Sequence, residues 1–76
     1  MVNVQLLKDK IKESGMTTTA VCLKTGIQKQ TLYNRYNRPD TFRIYEIDAL
    51  KDVLHLSERE YKRIFFARYA EFNSAS

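Results

Sequence analysis

Gln30 and Asn34 stand four residues apart in the stretch TTTAVCLKTGIQKQTLYNRY, residues 17–36, with Lys29 just ahead of them. Residues at that spacing share one face of a helix, so the two amides point the same way. Asn and Gln pair bidentately with an adenine edge, and Lys and Arg favour guanine or phosphate. Gln28, Lys29, Gln30, Tyr33 and Asn34 are therefore candidate base contacts on double-stranded DNA, with Lys29, Gln30 and Asn34 foremost. Tyr33 can donate to a phosphate or pack on a thymine methyl. Gln28 also suits a phosphate or a helix cap, as does Thr31. Thr18 and Thr19 suit a phosphate held by free N–H groups at a helix start. Arg38 and Arg43 suit phosphates flanking the groove.

Such side chains need a helix set on a firm support. About nine residues of helix lead to Thr25-Gly26-Ile27, and another helix follows at once, which is helix-turn-helix spacing. The sharp turn needs positive φ, which Gly26 adopts without Cβ strain. Ile27 is expected in the core, with Leu32 and Tyr36 on the inner face of the second of these helices. Val21 and Cys22 face them, Cys22 being small where the helices approach closely.

The remaining pattern is helical throughout. Val4, Leu7 and Ile11 predict a first helix over roughly 3–14, ended by Gly15. Thr17 or Thr18 caps a second helix that runs to about Lys24. The third spans about Gln28 to Asn37 and stops before Pro39. A fourth, over 44–54, places Ile44, Ile47, Leu50 and Leu54 on one stripe, with an acidic outer face. Ser57 and Glu60 form a capping box for a fifth over 58–70, with Leu56 as its hydrophobic staple. Tyr61, Ile64, Phe65 and Ala67 or Arg68 lie near the inner face of that helix. The expected fold is all-α: one compact five-helix domain over residues 1–72, with a tail at 73–76.

Composition bounds the chemistry. One cysteine excludes an internal disulfide and a cysteine-based zinc site. The lone His55 has no ligand partner at metal spacing, and Ser57 has a capping role and no evident base. There is no glycine-rich phosphate loop. We expect no enzyme activity, cofactor, metal or small-molecule ligand. No signal peptide or membrane span is legible, so a soluble, cytoplasmic protein is expected. The net charge is +4. Over residues 27–45, Lys29, Arg35, Arg38 and Arg43 oppose Asp40 alone, a net +3. Over 46–56, Lys51 opposes Glu46, Asp48 and Asp52, a net −2. That asymmetry favours a polyanion on one face.

The run KDKIKESGMTTTAVCLKTGIQKQTLYNRYNRPDTFRIYEIDALKDVLHLSEREYKRIFF resembles the small helix-turn-helix regulators of the phage Cro and repressor superfamily, the XRE-like group. The ESGMT helix end, the TGI turn, TLYNRY and the segment EIDALKDVLHLSEREYKRIFF carry the likeness, which covers about residues 4–66. Within that group it is most like short phage-type regulators of Gram-positive bacteria, which implies the cytoplasm of a bacterial or phage-infected bacterial cell. The resemblance implies a five-helix, lambda-repressor-like DNA-binding domain, usually dimeric on paired half-sites. It also implies base reading by Gln28, Lys29, Gln30 and Asn34. Two positions depart from the pattern. Cys22 replaces the usual alanine, and Leu23 replaces a polar residue, so Leu23 either meets a partner or packs under the C-terminal helix. With no peptidase or sensor module in view, control would fall to concentration, a partner or competition for operators.

A protein-binding module is the rival function, antirepressor-like or antitoxin-like, on the same scaffold. Aromatic residues at Phe65, Phe66, Tyr69 and Phe72 exceed the needs of one small core and suit a partner or a homodimer. Phe66, Tyr69 and Phe72 are the expected interface.

Overall fold

In the computed structural model, which describes residues 2–67, five α-helices follow one another with short connections. They are α1 (Val4–Glu13), α2 (Thr18–Thr25), α3 (Lys29–Asn37), α4 (Ile44–Val53) and α5 (Glu58–Phe65). A single 3-10 turn, Pro39–Thr41, joins α3 to α4. No strand occurs among the described residues.

Local chemistry sets the boundaries. Asn3 caps α1 by accepting from the Leu6 N–H at 3.0 Å, and Thr17 caps α2 by accepting from the Ala20 N–H at 3.0 Å. The Ser57–Glu60 capping box is present in both directions, at 3.1 and 2.9 Å. Gly26 ends α2 at φ 78°, in the left-handed region. The end of α4 carries no such glycine. There His55 takes φ 52°, while the His55 and Leu56 N–H groups bond the Asp52 and Lys51 carbonyls at 3.2 and 3.0 Å. That is a Schellman ending, closed by the buried Leu56.

Each helix sends one fully buried aliphatic to a common centre: Leu7, Val21, Leu32, Leu50 and Ile64. Burying such a side chain is worth about 1.5–3 kcal/mol, so these five positions hold the helices together. Cys22, Ile27, Ile47 and Phe65 surround them. Phe42, from the connection after the 3-10 turn, meets Phe65 edge-on at 6.0 Å. The Asn3 N–H bonds the Ile64 carbonyl at 2.6 Å and ties the segment before α1 to α5.

Three expectations are corrected. Ile44 is not on the buried stripe; it is 77% exposed. It opens α4, and the inward position of that first turn belongs to Glu46. Glu46 in turn is not part of an acidic outer face, being 2% exposed and ion-paired. Finally, α5 does not run unbroken to residue 70. Phe66, at φ −130° and ψ 42°, interrupts it after Phe65. Tyr69 and Phe72 lie outside the described residues, as do the expected limits of the domain and tail at 72 and 73–76.

Candidate nucleic-acid interface

The outer arc of α3 is built by subtraction. Leu32 is fully buried, and Tyr36 and Arg35 are half-buried against the body. Lys29, Gln30, Tyr33, Asn34 and Asn37 are left exposed. At 100° per residue those five span an arc of roughly 140°. The candidate base-contact residues on α3 therefore share one face. Gln28 sits at the N-cap position, exposed, and its side chain makes no capping bond, so the capping role considered for it is not taken up.

Contacts join parts of this face. The Gln30 Nε2 donates to Asn34 Oδ1 at 3.1 Å. The Lys29 ammonium reaches back to the Thr19 hydroxyl at 3.4 Å, bringing the start of α3 beside the start of α2. Thr17 satisfies the Ala20 N–H, while the Thr18 and Thr19 N–H groups precede any intrahelical acceptor. Thr19 is exposed, and Thr18 and Thr31 are half-buried. Arg38, exposed, closes α3 about 13 Å along its axis from Lys29, and the exposed Arg43 lies beyond the 3-10 turn, just ahead of α4. The Thr41 N–H and hydroxyl both bond the Arg38 carbonyl, at 2.9 and 2.6 Å, which braces that turn.

Behind the face, the packing is apolar. Burial pushes the Tyr36 phenol up to about 12, with Cys22 and Tyr33 adding to the effect. The Lys8 ammonium lies 5.0 Å from the centre of the Tyr36 ring. Burial also raises the Cys22 thiol, against an opposing pull from Lys29. A shallow groove between α2 and the start of α3 is walled by Cys22, Leu23 and Ile27, with Thr19, Gln28 and Lys29 at its rim. Leu23 is 81% exposed and does not pack under the C-terminal helix.

Two features escaped the sequence. The Thr25 hydroxyl donates to the Val21 carbonyl at 2.8 Å and accepts from the Ile27 N–H at 3.2 Å, stitching the α2–α3 turn. A threonine one residue before a turn glycine is the only signal that could have marked it. The other is the pairing of Arg35 with Glu46. Its Nε and Nη2 donate to the two carboxylate oxygens at 2.9 and 3.3 Å. Arg35 is thereby withdrawn from the basic surface, leaving Lys29, Arg38 and Arg43 as the exposed cations of residues 27–45. The two residues lie on different helices, so no helical periodicity relates them.

Phe66 is 38% exposed and meets Tyr61 edge-on at 5.4 Å. Among the described residues, no group of three His, Cys, Asp or Glu side chains is placed to hold a metal, and no helix is long and apolar enough to cross a membrane. Comparison with protein-family profiles, curated proteins and solved structures found no match to this chain.

Proposed function

We propose that this protein binds duplex DNA with the outer arc of α3 in the major groove and regulates transcription, as a lambda-repressor-like helix-turn-helix domain. The observation that carries this is the composition of the arc: five polar or basic side chains exposed together on a helix anchored by the fully buried Leu32. Gln30 and Asn34 supply donors and acceptors matched to adenine, and Lys29 supplies a donor for guanine or phosphate. The start of α2 offers N–H groups to one phosphate, and Arg38 and Arg43 offer charge to others. Fluorescence anisotropy with a duplex selected from a random pool tests the reading. Affinity should fall steeply and log-linearly with salt. Binding that ignores salt, or that does not prefer the selected duplex over scrambled sequence, counts against it.

A protein-docking role has its own support in the exposure of Leu23, Ile44 and Tyr45, at 81%, 77% and 68%. Serine at Leu23 and Ile44 separates the two. A DNA-only protein keeps its affinity for the duplex and loses no protein partner. Self-association through the exposed Phe66 belongs to the DNA reading, since paired half-sites call for a dimer. Phe66→Ala should then lower the mass seen in sedimentation, and an unchanged mass rejects that interface.

A further inference from the structure

The carboxylate of Glu46 is among the most buried side chains of the described residues, and three donors converge on it. Arg35 from α3 binds both oxygens, at 2.9 and 3.3 Å, and the Arg43 N–H donates to Oε1 at 2.8 Å. The Arg35 Nη1 also lies 3.5 Å from the Thr41 hydroxyl, which itself bonds the Arg38 carbonyl. One ionic cluster therefore touches the inner side of α3, the 3-10 turn and the first turn of α4. The backbone of both exposed arginines, Arg38 and Arg43, is tied into it.

We propose that Arg35 and Glu46 are positioning residues for DNA binding: their pairing fixes the basic turn of residues 38–43 relative to the reading face of α3. The inference rests on the DNA-binding reading above. A planar guanidinium gripping both oxygens of a carboxylate sets direction as well as distance. Apolar contacts of similar volume would hold the two helices together without setting that direction. A buried ion pair is weak evidence for stability, because desolvation offsets its attraction. Its geometric role is the more economical account of why a charge sits at this inner position. Arg35 itself touches no nucleic acid in this account.

The test uses the whole chain and a pool-selected duplex, with three variants: Arg35→Lys, Glu46→Gln and the double Arg35→Met/Glu46→Met. Each should bind about tenfold more weakly than the wild type, while the slope of affinity against salt stays unchanged. The double variant should keep a melting temperature near or above that of the wild type, which separates positioning from folding. In the free protein, Glu46→Gln should speed hydrogen exchange at the Arg43 amide. A double variant that binds as tightly as the wild type overturns the proposal. So does a salt slope that falls by about one when Arg35 is replaced by Met, since Arg35 would then sit on a phosphate. A wild-type chain that leaves the duplex unbound overturns the DNA reading, and positioning for DNA with it. An unchanged Arg43 exchange rate in Glu46→Gln overturns the fixing of the turn by the ion pair and leaves the DNA reading standing.

Discussion

Gln30 and Asn34 are hydrogen-bonded to each other across one turn of α3, Nε2 to Oδ1 at 3.1 Å, on a face open to solvent. The bond holds one amide in place with respect to the other before any ligand arrives. It also leaves the Gln30 carbonyl oxygen and the Asn34 amino group free to meet a base. Restricting side-chain rotation in advance lowers the entropy lost on binding.

Gln30→Ala should weaken binding to the selected duplex by about 1–3 kcal/mol and relax the preference at one base position. Asn34→Ala should act similarly, and the double variant should cost less than the sum, because the two side chains are coupled. Thermal stability should barely change, as both are exposed. Binding measured against a panel of single-base variants of the duplex checks this.

Arg38→Ala and Arg43→Ala should lower affinity for every duplex alike and reduce the salt slope by about one each. Neither guanidinium is needed by the fold: Arg38 serves the turn through its carbonyl, and Arg43 serves it through its N–H. Titrations at several salt concentrations provide the slopes.

Gly26 and His55 both occupy the left-handed region, and replacing them should have opposite effects. A Cβ at Gly26 meets nothing within 4 Å, so Gly26→Ala pays only for φ 78°, about 1–2 kcal/mol. Gly26→Asn should cost less. At His55, φ 52° is strain the native residue already bears, and His55→Gly should stabilise by about 0.5–1 kcal/mol. Urea midpoints at constant m-value report both.

Acid should weaken the N-terminal end of α5. The Lys10 ammonium beside it, with help from the Ser57 N–H and hydroxyl, pulls the Glu60 carboxyl down to about 2 from an ordinary 4.5. The folded state therefore holds its proton less tightly than the unfolded chain. The resulting stabilisation is complete above about pH 4.5 and drains away as pH falls towards 2. The gap in melting temperature between wild type and Glu60→Gln should narrow as pH falls from 6 to 2.5, modestly, because solvent screens this surface pair. A gap that is constant with pH contradicts the pairing.

The helices themselves were legible because periodicity and caps agreed. Leu7 and Ile11, the Ser57–Glu60 box and the Gly26 turn each mark their element in a handful of adjacent residues. The outer arc of α3 followed from the same periodicity. Long-range chemistry was not legible. Ile44 shares the helical stripe of Ile47 and Leu50, yet it is exposed, because the first turn of α4 turns Glu46 inward to meet Arg35. Periodicity cannot reveal that a carboxylate takes a core position when its partner lies on another helix. Nor does it foresee the break at Phe66, where no glycine or proline announces it. The α4 ending is similar: His55 does there what a glycine usually does.

The most direct test of DNA binding is an amide chemical-shift titration with the pool-selected duplex at low and moderate salt. Shifts should concentrate on residues 17–19 and 28–38, together with Arg43, and fade as salt rises. Shifts absent from those residues with duplex in excess would contradict the account and leave α2 and α3 as a scaffold for some other partner.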